Sequence, residues 1–152
     1  MKNSKLPLLN LPAFDHKIKE SEGKFMIFDI IRKKNIILTP EEWVRQHVIR
    51  LLISNYGYSR SLFQVEKGTT YNFLQKRTDI VVYNREGKPH LLVECKAPEI
   101  KINQYVIEQA SRYNKTINAP FLAITNGLKT FCFTVDFETG KVTQMKDLPQ
   151  VL

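Results

Sequence analysis

The stretch Arg77–Pro98, RTDIVVYNREGKPHLLVECKAP, decides how the rest of the chain is read. Ile80–Tyr83 and Leu91–Cys95 are short apolar, β-branched runs, and the polar residues between them include Gly87 and Pro89. Two such runs around a glycine-containing turn specify a β-hairpin. Side chains alternate along a strand, so Glu94 and Lys96 share one face while Cys95 takes the other. With the turn centred on Glu86-Gly87, residues whose numbers sum to 173 stand opposite each other, which sets Asp79 against Glu94. Facing like charges in an antiparallel pair lie about 4.5–5.5 Å apart at Cβ and repel. Something positive is therefore expected between them. A divalent cation held by carboxylate oxygens, with Lys96 beside it, is the economical answer.

A chain of 152 residues suffices for one domain with a single sizeable core. Its 43% hydrophobic and 25% charged residues exclude a disordered or fibrous protein. Lys and Arg outnumber acids by 23 to 15, and the net charge of +8 attracts polyanions, although mildly basic soluble proteins are also common. Cys95 and Cys132 stand in apolar runs without C-x-x-C spacing, which reads as two buried thiols in a reducing compartment. His16, His47 and His90 are isolated and form no ligand pair. No run approaches a membrane span, and LPLLNLPAF (Leu6–Phe14) is too short and too proline-broken for a signal sequence, so a cytoplasmic protein is expected.

Working outward, residues 1–24 read as an N-terminal arm that packs on the domain or on a partner, and residues 25–152 as the single domain. Lys24–Ile31 and Asn35–Leu38 suggest a hairpin whose Arg32-Lys33-Lys34 turn reads as solvated rather than as a DNA contact. Thr39-Pro40-Glu41 is a helix start, with a threonine N-cap, proline in the first turn and acids that complement the macrodipole. That helix runs to about Asn55. Val44, Val48, Leu51 and Leu52 form its apolar face, widened by Trp43, His47, Ile49 and Ile53. Leu62 and Val65 mark a strand at 62–66. The segment 67–76 reads as a loop flanking the hairpin, where Lys67, Lys76 and Arg77 meet phosphates or are ordinary surface charges. Asn103–Ile117 has helical periodicity, with Gln109 and Tyr113 one turn apart and able to meet. Residues 120–125 form a buried-type strand, and Lys129–Phe137 and Lys141–Met145 a last hairpin.

An acid, fourteen residues, then Glu-x-Lys (Asp79, Glu94, Lys96) resembles the active-site signature of the PD-(D/E)xK nuclease superfamily, with Thr78 where the name has proline. Gln109-Ala-Ser-Arg-Tyr113 is similar to the Gln-x-x-x-Tyr helix motif of the branch containing type I restriction subunits. TPEEWVRQHVIRLL (Thr39–Leu52) resembles the opening helix of the family named after the N-terminal domain of the type I restriction enzyme R protein. The resemblance runs from about Phe25 to Asp136.

It implies a restriction-endonuclease-like α/β fold: a mixed central β-sheet with a helix on each face. It further implies a metal-dependent endonuclease acting on DNA, in restriction, defence or DNA processing. Asp79, Glu94 and the carbonyl of Cys95 would hold Mg²⁺, for which Mn²⁺ substitutes. Members commonly bring one more acid from the first helix. Helical geometry puts Glu41 nearer the apolar face, whereas the resemblance favours Glu42 in its E-x-V-R-Q run, and both acids can instead serve only the helix N-terminus. Lys96 would orient the nucleophile and offset transition-state charge. Gln109 would position the site or a phosphate, with Tyr113 in support. The chain lacks a G-x-x-x-x-G-K-[ST] phosphate loop, so it is expected either as a stand-alone nuclease or as a subunit whose partner protein supplies motor or specificity. A non-catalytic nucleic-acid-binding or assembly module on a nuclease fold is the alternative.

Overall fold

The computed structural model describes residues 6–65 and 80–151. Three strands, β1 (Ile18–Ser21), β2 (Lys24–Asp29) and β3 (Lys34–Ile37), precede α1 (Pro40–Ser54). A short 3-10 turn at Arg60–Leu62 leads into β4 (Phe63–Val65). The order continues through β5 (Ile80–Tyr83), β6 (Pro89–Cys95), α2 (Gln104–Ile117), β7 (Phe121–Thr125), β8 (Thr130–Val135) and β9 (Val142–Met145). β1–β3 form an antiparallel sheet, and β4 to β9 form a second sheet in sequence order. That second sheet is mixed, because β6 and β7 run parallel with α2 as their crossover while its other pairs are antiparallel.

The central hairpin has the register expected of it. Ile80 faces Val93, Val81 faces Leu92 and Val82 faces Leu91, before a shift at Tyr83 absorbs the turn. Gly87 adopts φ +80° there, a conformation open to glycine at little cost. Alternation divides the sheet between two cores. Ile80, Val82, Leu91, Val93 and Cys95 pack with Val44, Val48, Ile49 and Leu52 of α1. Val81, Leu92, Leu122 and Ile124 pack with Val106 and Ala110 of α2. The two helices thus cover opposite faces.

Local chemistry sets the helix ends. Thr39 accepts the Glu42 N–H at 3.0 Å, and Asn103 accepts the Val106 N–H at 3.0 Å, each satisfying an orphan donor. Asn118 closes α2 in the left-handed conformation at φ 64°, and the Asn114 amide ties that end to Ala119 through both its donor and its acceptor.

Three expectations need amending. Residues 18–24, read as part of an arm, form β1 and the start of β2. IKES contains one apolar residue, so its strand character comes from pairing with β2 rather than from pattern. Leu6–Lys17 does pack on the domain: the Asn10 N–H donates to the Gly127 carbonyl at 2.7 Å and the Trp43 indole to that of Pro7 at 2.9 Å. Gly127 sits at φ +85°, a conformation that strains other residues, and a Cβ there would also press on a Leu9 methyl 2.8 Å away. Secondly, α1 is buried nearly all round its first three turns, from Glu42 to Ile49, not along one stripe. The large sheet covers one side, and Ile27, Leu38 and the N-terminal residues Leu6, Leu9 and Phe14 close over Trp43 on the other. Thirdly, Arg32 is not part of a solvated turn. Lys33 and Lys34 are exposed, but the Arg32 guanidinium turns inward to Asp29 and Glu42.

Both cysteines are free and buried, as their apolar surroundings suggest, and burial, with help from the Asp147 charge, pushes the Cys132 thiol up to about 11.

Candidate functional site

Glu94 lies near the C-terminal end of β6, two residues after Leu92, on the face covered by α2. It is a carboxylate only 5% exposed, following the apolar run Leu91–Val93. Its Oε2 meets the Lys96 Nζ at 3.0 Å, and Lys96, at 23% side-chain exposure, keeps contact with solvent. The pair therefore sits at a boundary: an acid held in the protein beside a cation that reaches water. Lys96 relieves the carboxylate charge directly, which a repulsion argument for this strand end must include.

The end of β7 builds the neighbouring wall. The Lys96 N–H donates to the Thr125 carbonyl at 2.8 Å, extending the parallel ladder past Cys95. Thr125 and Asn126 are buried. Asn126 accepts the N–H groups of Leu128 and Lys129 and donates to the Ile100 carbonyl at 2.8 Å, fixing the loop after Lys96. The ends of adjacent parallel strands are where open α/β sheets place ligands. Local pattern does not reveal this role of Asn126, because its partner Ile100 is 26 positions away.

Asp79, Lys67, Lys76 and Arg77 lie outside the described residues. Glu42 belongs to a buried ionic cluster. Its Oε2 accepts from Arg32 at 2.7 Å and from Gln46 at 2.8 Å, and its Oε1 accepts from Arg45. Asp29 shares the same donors, taking Arg32 Nε at 2.6 Å and Gln46 at 3.0 Å. Burial alone would raise the Asp29 carboxyl; the Arg32 and Ile31 N–H groups and the Arg32 guanidinium outweigh it and hold the group below the usual carboxylate range. Glu41, the more exposed acid, pairs with Arg45 at 2.7 Å. The E-x-V-R-Q run thus supplies three members of one cluster, and Asp29 and Arg32 reach it from the first sheet.

On α2, Gln109 and Tyr113 do not carry out the pairing expected of them. The Gln109 amide donates to the Tyr105 hydroxyl at 2.9 Å, one turn back, while Tyr113 packs into the α2 core. Among the described residues no group of three or more His, Cys, Asp or Glu is placed to hold a metal ion. No helix among them is long and apolar enough to cross a membrane.

In fold, the chain is similar to a fragment of a chain described as an HsdR subunit of a type I restriction enzyme from Vibrio vulnificus YJ016, at TM-score 0.52 and 21% identity. The similarity covers 74% of this chain and 24% of that one, so the chain spans about a quarter of that relative's length. Among curated proteins the chain has no match. Residues 40–149, from the first residue of α1 through both helices and the whole second sheet, match the family model for the type I restriction enzyme R protein N terminus, HSDR_N, and the chain belongs to that family.

Proposed function

We propose that the chain is a DNA-acting module of a type I restriction system, binding nucleic acid on an α/β scaffold and working with a partner protein that supplies motor or specificity. The family match over residues 40–149 carries this reading. The charge of +8 supports it, and Lys96, partly exposed at the strand end, is the cation that meets a phosphate. The test is duplex binding across a salt series. Affinity should fall with a log–log slope near −0.9 per phosphate neutralised and vary little with base sequence. Salt-insensitive binding, or none, would make the chain a protein-interaction module.

A second reading, favoured by the buried Glu94 beside Lys96, is a metal-dependent endonuclease. Hard carboxylate oxygens suit Mg²⁺ or Mn²⁺, and Asp79, Glu94 and the Cys95 carbonyl would hold the ion. Glu42 would have to give up its bonds to Arg32, Arg45 and Gln46 to join them. The ion would supply Lewis acidity toward the scissile phosphate. Glu94 positions the Lys96 ammonium, which orients the attacking water and offsets the charge gathering on the phosphate oxygens. Gln109 on α2 offers an amide to a neighbouring phosphate, and Tyr113 anchors that helix. Cleavage of labelled DNA with Mg²⁺ or Mn²⁺ by wild type and Lys96→Ala decides between the readings, since equal cleavage by both proteins would remove the nuclease reading.

A further inference from the structure

The outer face of the first sheet lies outside the family match and outside the site at Glu94. Ile18, Ile27 and Ile36 form one cross-strand row facing the core around Trp43. The alternate row is Lys19, Met26 and Ile37 and faces away. Phe28 pairs with Asn35 on that outer face, and its N–H donates to the Lys17 carbonyl, which continues the register and puts Lys17 beside it. Lys24 and Ser21 complete the face at the other end. Phe28 is 37% and Ile37 50% exposed, and Lys17, Lys19 and Lys24 are exposed. Glu20 pairs with Phe25 and belongs to the opposite face, and Glu22 sits in the turn beyond the strands. The outer face therefore presents an aromatic ring and two further apolar side chains among three lysines, with no acid in its paired rows.

We infer that this face binds single-stranded nucleic acid, with an unpaired base stacked on Phe28 and phosphates on Lys17, Lys19 and Lys24. Open sheet surfaces that combine aromatic stacking with a cationic track hold single strands with little regard to sequence, because every base offers a π-face. A duplex keeps its bases stacked on one another and cannot use Phe28, so the face distinguishes strand from duplex. This goes beyond the proposed action at Glu94 and Lys96.

The test uses the full chain, a labelled oligothymidylate and a labelled duplex of equal length, read by fluorescence anisotropy. Phe28→Ala should weaken oligothymidylate binding about tenfold and leave duplex binding within about twofold, whereas Phe28→Trp should retain or tighten single-strand binding. Lys19→Glu, a change at an exposed position, should also weaken single-strand binding and flatten its salt slope by about 0.7. Single-strand binding unchanged by Phe28→Ala or by Lys19→Glu would overturn the inference, as would equal loss on strand and duplex. Wild type that ignores oligothymidylate but binds anionic vesicles or dimerises through Phe28 would also overturn it, assigning the face to a membrane or a second copy. Duplex binding without single-strand binding refutes this face and spares the proposed function; Phe28-dependent strand binding without duplex binding does the reverse.

Discussion

Glu42 and Glu94 are both buried carboxylates that meet cations, but their partners differ in kind. Glu42 is gripped by two guanidiniums and an amide, donors with fixed planar geometry, in a cluster where Arg45 is 1% exposed. Glu94 meets a lysine, a point charge on a flexible stem, part of which is in solvent. The first arrangement joins β2, the turn after it and α1 into one unit. The second leaves a cation able to exchange its partner for a phosphate. Buried charge thus ties elements together at Glu42 and, under the proposed function, serves nucleic acid at Glu94 and Lys96, and substitutions should separate the two.

The largest effect should come from the scaffold cluster. Glu42→Gln removes the carboxylate that Arg32 and Arg45 share and leaves Arg45 only the more exposed Glu41, and breaking a buried pair costs on the order of 3–5 kcal/mol. Denaturant melts should show that loss in the absence of any nucleic acid or metal; a change under about 1 kcal/mol would mean that Arg45 is adequately held by its other contacts. At the second site, if the chain cleaves DNA, Lys96→Ala should slow cleavage by about 10²–10³-fold, the scale of losing one preorganised donor to developing charge. Its melting point should fall less than that of Glu42→Gln, because water reaches the Lys96 side.

Acid should expose the same contrast. Burial lowers the pKa of His47, with His16 nearby adding to the effect, and its Trp43 carbonyl contact only partly opposes it. A histidine depressed in the folded state contributes stability present above its unfolded value near 6.5 and lost as pH falls from there through the folded value. Burial lowers His90 likewise. Asp29 is also depressed, so its share is present above about 3.8 and lost below that. Stability should therefore decline in two stages, first below about 6.5 and again below about 3.8. His47→Gln should flatten the first stage and leave the second, as followed by melts across pH. The smallest effect should be at the helix cap, where Thr39→Ala removes the acceptor of the Glu42 N–H and costs about 1 kcal/mol in a melt.

Much of the fold was legible because its signals are local. The register of β5 and β6 follows from turn position and two apolar runs, and the helices themselves from capping residues and periodicity, while their placement on opposite faces is what the family resemblance implied. What could not be read depends on contacts distant in sequence or opposed to local pattern. β1 has a single apolar residue and exists through β2. Arg32 looks like its neighbours Lys33 and Lys34, and only Glu42, ten residues on and in another element, draws it inward. Gln109 had two tyrosines one turn away, Tyr105 and Tyr113, and periodicity assigns Tyr113 to the core without saying that the amide then turns to Tyr105. At the site, alternation correctly put Glu94 and Lys96 on one face, whereas the wall made by Thr125 and Asn126 required the parallel pairing of β6 with β7.

The most direct measurement is the salt dependence of duplex binding by wild type and Lys96→Ala, each confirmed folded at the assay temperature. The account predicts that wild type binds with an affinity that falls linearly in log–log form, and that Lys96→Ala binds more weakly with a slope shallower by about 0.9, the loss of one phosphate contact. Wild type that does not bind duplex at low salt, or a Lys96→Ala slope identical to wild type, would contradict it.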